Sequence, residues 1–183
     1  MNKKIIQIGD ERLLQASESV EESSIQSEEI QNLIKDITDT IKANKDSAAG
    51  LSAVQIGILK RIFVVKDNDD TKTFYRAFIN PEVIEQSRET TIEWEGCMSI
   101  NSNNKRLYGP VERSKVVTIK YLDENGIQRE ITEKNFRSHL LLHELDHLNG
   151  KLFLQYVDNP ENIWNEDELD TYLDKYQRFP EIK

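Results

Sequence analysis

The stretch Leu140-Leu141-Leu142-His143-Glu144-Leu145-Asp146-His147-Leu148 decides how the rest of the chain is read. On an α-helix, residues four apart share a face, so His143 and His147 can reach one metal ion together. Glu144 stands beside the first histidine, where a carboxylate can take a proton from water activated at that ion. A hydrolytic metal site of this kind uses three protein ligands and keeps one position open. The third donor is either Cys97, the single cysteine, or a carboxylate beyond the helix, for which Glu161, Glu166 and Glu168 are candidates. Cys97 is the better choice. It follows a strand-like segment beside the flexible Gly96, whereas the three glutamates lie in an acidic tail that reads as a solvated helix face.

A chain of 183 residues is long enough for one well-cored domain and short for two, so 1–183 is expected to form a single unit. The net charge of −9, without a basic stripe, argues against a nucleic-acid partner. No apolar run is long enough to span a membrane. Met1-Asn-Lys-Lys-Ile-Ile-Gln lacks the features of a secretory signal, so a cytoplasmic location is expected. One cysteine rules out an internal disulfide, which suits a reducing compartment.

Along the chain, Lys4–Ile8 reads as a strand and Asp10-x-Arg12-Leu13 as a turn; Ser17–Ser27 reads as a polar loop. Ile30, Leu33, Ile34, Ile37 and Ile41 form the stripe of an amphipathic helix opened by Ser27. Ala48–Gly57 breaks that period with small residues and reads as a tight packing turn. Strands are expected at Arg61–Lys66, Thr73–Ile79, Val83–Gln86 and Glu89–Trp94, with Asn68-Asp-Asp70 turning the first pair. Val116–Tyr121 and Ile127–Thr132 flank an Asn-Gly hairpin turn. The metal-bearing helix spans Lys134–Asn149, capped by Gly150. A short acidic helix at about 165–178, carrying Leu169, Tyr172, Leu173 and Tyr176 on one side, is expected to pack on its own domain.

Three segments taken together resemble the signature motifs of the peptide deformylase family. They are Gly50-Leu-Ser-Ala-Val-Gln55, Glu95-Gly-Cys-Met-Ser99 and His143-Glu-Leu-Asp-His147. Asp10-x-Arg12-Leu13, Gly109-Pro-Val-Glu-Arg113 and His147-Leu-x-Gly-x-Leu-Phe153 extend the resemblance over about residues 4–157. It implies an α+β fold, with mixed or antiparallel sheets around the central metal-bearing helix. It also implies a metallo-hydrolase that removes the formyl group from the N-terminal methionine of nascent peptides. Cys97, His143 and His147 would hold the metal, and Glu144 would act as general acid and base. Gln55 and the backbone N–H of Met98 would face the oxyanion, while Gly50, Glu95, Gly96 and His139 would border the substrate. Thiolate plus two imidazoles suits Fe²⁺, Zn²⁺, Co²⁺ or Ni²⁺, and the resemblance favours Fe²⁺ in the cell. Transient encounter with ribosomes fits that role.

The chain departs from the family pattern in several places. Ala48 replaces a glycine, Ser52 an alanine and Met98 a leucine, all expected to matter little. Leu142 stands where a glutamine usually precedes the first metal histidine, which bears on support of the ligands. By the resemblance, His139, one turn before His143, stands near a pocket for the first substrate side chain that is usually apolar; Glu93, two residues before Glu95, is either near that pocket as well or an exposed strand residue. Other readings are a His-Glu-x-x-His endopeptidase, whose metal would survive loss of Cys97, and a relative acting on another N-acyl group.

Overall fold

The computed structural model describes residues 1–45, 48–68 and 71–183. Helix α1 runs over Glu28–Ala43 and starts where the Ser27 hydroxyl accepts from the Ile30 backbone N–H. Its apolar stripe lies on a five-stranded antiparallel sheet of order β1-β2-β3-β6-β7. The strands are β1 (Gly50–Ser52), β2 (Ile62–Asn68), β3 (Thr73–Gln86), β6 (Val116–Leu122) and β7 (Gln128–Lys134). The run Ile62-Phe63-Val64-Val65 is apolar at every position because both faces of β2 are covered. Ile62 and Val64 pack with Ile37 and Ile41 of α1; Phe63 and Val65 pack with Leu141 and Leu148 of helix α2 (Phe136–Leu148).

A second sheet of order β4-β5-β8 lies on the far side of α2. It consists of β4 (Thr90–Ser102), β5 (Lys105–Ser114) and the short β8 (Trp164–Asn165). Asn103 and Asn104, at φ 50° and 61°, make the two-residue turn between β4 and β5. Helix α3 (Glu166–Tyr176) follows β8, and the tail returns until Pro180 is buried. Leu169 is the buried anchor of α3, so its stripe packs on the chain's own surface.

Several expectations need correction. Lys4–Ile8 is extended but belongs to no sheet; Ile6 and Ile8 donate single backbone bonds to Gln55 and Ser99. The two strands expected at Thr73–Ile79 and Val83–Gln86 are one, β3, kinked at Asn80-Pro81 and bulged on its β6 side. Glu89–Trp94 extends through the cysteine motif to Ser102. Strand β5 went unexpected because Gly109-Pro110 interrupts its pattern. Pro110 pairs with Trp94, beyond the two residues of β5 that meet β8, so its missing N–H costs no ladder bond on that side. Every ladder between the strands is antiparallel, one of the two arrangements expected. The tail helix stops at Tyr176, where Gln177 turns left-handed, before Pro180 is reached. Asn68 pairs with Thr73 across the β2–β3 hairpin, but Asp69 and Asp70 of the expected turn lie outside the described residues.

Candidate metal centre

Helix α2 threads between the two sheets and carries apolar Leu140, Leu141 and Leu148 towards the larger one. Its other side buries His139, Glu144 and His147, with His143 almost covered. Opposite lies β4, whose regular pairing with β5 breaks between Gly96 and Asn101. That irregularity, next to a glycine against which the Tyr108 ring packs too closely for any Cβ, sets Cys97 towards the helix. The ligand atoms of Cys97, His143 and His147 all lie within 4.8 Å of one another. No other group of donors comes together in this way among the described residues. Glu161, Glu166 and Glu168 stand elsewhere, and Glu161 pairs with Lys183.

The donor set suits a divalent cation. His143 Nδ1 donates to Glu95 Oε2 at 2.9 Å, which leaves Nε2 as the lone pair facing the cluster. His147 Nε2 lies 3.2 Å from Cys97 Sγ, while its buried Nδ1 has no partner among the described residues. Burial pushes the Cys97 thiol up, but the neighbouring imidazoles outweigh it and hold the thiol well below its ordinary range. Burial pulls His143 down, and the thiolate with Glu95 lifts it well above its ordinary value. A buried thiolate thus demands a positive charge at this point, and a proton on the imidazole supplies it where a metal ion would.

Glu95 is the keystone of the support. Its carboxylate accepts Arg113 Nε at 2.6 Å and Nη2 at 3.0 Å, His143 Nδ1 at 2.9 Å and His139 Nδ1 at 3.2 Å. Burial pushes Glu95 up, yet these donors win and hold it far below the usual carboxylate range. Arg113 also donates to Asp146 Oδ2 at 2.7 Å, which ties β5 to the fourth residue of the helix motif. His139 Nε2 is hydrogen-bonded to the Thr91 hydroxyl, 3.0 Å away, so both of its ring nitrogens are engaged. Arg113, Asp146 and Thr91 escaped the sequence reading; an arginine inside the Gly109-Pro-Val-Glu-Arg113 motif was the available signal.

Glu144 is 3% exposed, and burial raises it above the ordinary carboxylate range, against the pull of His143, His147 and Ser52. The Ser52 hydroxyl lies 2.7 Å from Glu144 Oε2 and 3.0 Å from its carbonyl oxygen. Gly50 sits so close that a Cβ there would fall 2.7 Å from Glu144 Oε1. Gln55 is also buried. Its Oε1 accepts from the Ser52 backbone N–H at 2.8 Å, and its Nε2 faces Ser99 Oγ at 3.2 Å and Cys97 Sγ at 3.4 Å. The Met98 carbonyl accepts from Gln7 and Asn101, which pins the backbone beside the cysteine. Gly50, Gln55, Glu95, Gly96, Cys97, Met98, His139, His143 and Glu144 border one cavity of about 220 Å³, while His147 lies behind it. Leu142 points away and packs with the core under α2.

Comparison with known proteins agrees across nearly the whole chain. The family profile described as Polypeptide deformylase matches residues 2–162. The peptide deformylase of Pseudothermotoga lettingae is 40% identical over 157 residues, covering 86% of this chain and 84% of that one. That of Leptospira biflexa is 32% identical over 176 residues, covering 92% and 95%. Among solved structures, the peptide deformylase from Ehrlichia chaffeensis in complex with actinonin superposes with a TM-score of 0.77 at 28% identity, covering 97% of this chain and 99% of that one. The Met-Ala-Ser-bound class I type b enzyme from Acinetobacter baumannii gives 0.76 at 27%, covering 86% and 99%.

Proposed function

The chain belongs to the peptide deformylase family, and on that premise we propose that its cleft hydrolyses the formyl group from the N-terminal methionine of new polypeptides, releasing formate. The observation that carries the reading is the meeting of Cys97, His143 and His147 with Glu144 and Gln55 at one cavity. A divalent ion held by the three ligands would supply Lewis acidity, polarising the formyl carbonyl and making water a better nucleophile. Glu144, kept basic by burial and held at Oε2 by Ser52, takes the proton from the attacking water at its other oxygen. The water oxygen bonds to the formyl carbon, and negative charge grows on the formyl oxygen. There the Gln55 amide and the Met98 backbone N–H are the donors at hand. As the C–N bond breaks, Glu144 returns its proton to the leaving amine. Strand β1 is the outer strand of its sheet, so Gly50 can pair an extended peptide along its free side.

In this reading Fe²⁺ is the working ion, with Zn²⁺, Ni²⁺ and Co²⁺ as substitutes for the same thiolate and imidazoles. The enzyme works in the cytoplasm on chains leaving the ribosome, through encounter with the nascent chain. The test is anaerobic formate release from formyl-Met-Ala-Ser by the Fe²⁺-loaded protein. Glu144→Gln should lower kcat by roughly a hundredfold to ten-thousandfold while keeping the ion. Cys97→Ala should lose the ion itself. No formate from fully loaded protein would overturn the reading, and metal retained by Cys97→Ala would favour an endopeptidase.

A further inference from the structure

The cavity has two ends with different chemistry. One end holds the metal donors, Glu144 and Gln55; the other is bordered by Ala48, Ala49, Glu93, Phe136, His139 and Leu140. β4 pairs residue by residue with β5 from Thr90 to Gly96, so Thr91, Glu93 and Glu95 project to one face. Thr91 and Glu95 both bond His139, one at each ring nitrogen, and Glu93 lies between them on β4, bordering the same cavity as His139. Both ring nitrogens of His139 are thus taken up, Nδ1 by Glu95 and Nε2 by Thr91, and neither is left for Glu93. Glu95 itself is satisfied by Arg113 and the two histidines. Among the described residues, no hydrogen bond or ion pair engages the half-buried Glu93 carboxylate.

We propose that Glu93 sets the side-chain preference of this site, extending it from formyl-methionine to formylated substrates whose first side chain is unbranched and ends in an ammonium or other N–H donor. The inference rests on the deformylase reading, which fixes the formyl carbon at the metal end. The first side chain then leaves the backbone two bonds further on and runs towards the far end. Ala48 and Ala49 leave room there for a straight methylene stem, and Phe136 and Leu140 give it an apolar wall. At the tip the two candidates differ. Methionine covers a carboxylate without pairing it, whereas lysine, of similar length, meets it with a charge-assisted hydrogen bond. A polar group that must be paired discriminates between substrates more strongly than a methylene does.

The experiment measures formate release from formyl-Lys-Ala-Ser and formyl-Met-Ala-Ser by metal-loaded protein, with Glu93→Gln and Glu93→Leu alongside. The ratio of kcat/KM for the lysine peptide to that for the methionine peptide should fall about tenfold or more in each variant. Glu93→Gln keeps the shape and loses only the charge, so it carries the test even where leucine disturbs the strand. Formate from the methionine peptide with a smaller change of ratio in Glu93→Gln overturns this inference alone. Formate from neither peptide overturns the deformylase reading and this inference with it.

Discussion

Ser52 shows how much a single hydroxyl can depend on the fold. In the sequence it is a small residue where the family carries alanine, and size alone gave it no weight. In the structure its hydroxyl is fully buried and touches both the side chain and the backbone of Glu144. Ser52→Ala should therefore lower kcat on formyl-Met peptides by about threefold to tenfold, the scale of one ordinary intramolecular hydrogen bond, with KM little changed. An unchanged kcat would mean that packing alone orients the carboxylate. Arg113 is the second case. Removing it strands Glu95, buried and charged, between two histidines. Arg113→Met should cost about 3–5 kcal/mol in urea denaturation, because the partner charge stays buried without compensation. A loss below about 1 kcal/mol would show that the histidines suffice. The candidate metal donors Cys97, His143 and His147, which the fold brings together, were legible because their residue types and spacing carry the chemistry. Ser52, Thr91 and Arg113 were not, since each acts through a partner from 18 to 92 positions away: Arg113 with Glu95 (18 apart), Thr91 with His139 (48 apart) and Ser52 with Glu144 (92 apart).

At the scale of elements, α1 and α2 could be read from period and caps, and β6–β7 from its Asn-Gly turn. The strands around the site were harder because each carries an interruption. β3 continues through Asn80-Pro81 although Asn80 stands at φ 49°, a conformation disfavoured for the residue before proline. The Asn80 side chain explains its survival: Oδ1 accepts from the Val20 N–H at 2.8 Å and Nδ2 donates to the Val20 carbonyl at 2.7 Å. It pairs with the passing chain as a backbone amide would. Asn80→Ala loses both bonds and keeps the unfavourable φ, so it should destabilise by about 2–4 kcal/mol. Asn80→Gly loses the bonds but tolerates the conformation, so it should cost less, and equal losses would refute the strain argument. Asn135 enters α2 at φ 51° with no side-chain cap. There Asn135→Gly should raise the thermal midpoint slightly, where the same exchange at Asn80 lowers it.

At the scale of the whole molecule, a metal ion held by Cys97, His143 and His147 would join two bodies that no strand connects among the described residues. Cys97 belongs to the three-stranded sheet, while His143 and His147 belong to the helix packed on the five-stranded one. A bound ion is therefore a cross-link between the halves, and it stabilises the folded chain according to its concentration over Kd. The ion is not the sole bond between them. Arg113 ties β5 to β4 at Glu95 and to α2 at Asp146, and His139 ties α2 to Thr91 and Glu95. These contacts hold the ligands in place without a metal, so the apoprotein should stay folded. For an ion at about a thousand times Kd, the contribution is about 4 kcal/mol, which in a chain of this length corresponds to a thermal midpoint shift on the order of 10 °C. Chelation should lower the midpoint by that amount without loss of far-ultraviolet circular dichroism. Hydrogen exchange should quicken first at the backbone amides around Cys97, while β2 and β3 keep their protection. An apoprotein unfolded at 25 °C would mean that the Arg113 and His139 contacts cannot hold the halves together. A midpoint that ignores the chelator would mean that the ion adds nothing to a junction those contacts already complete.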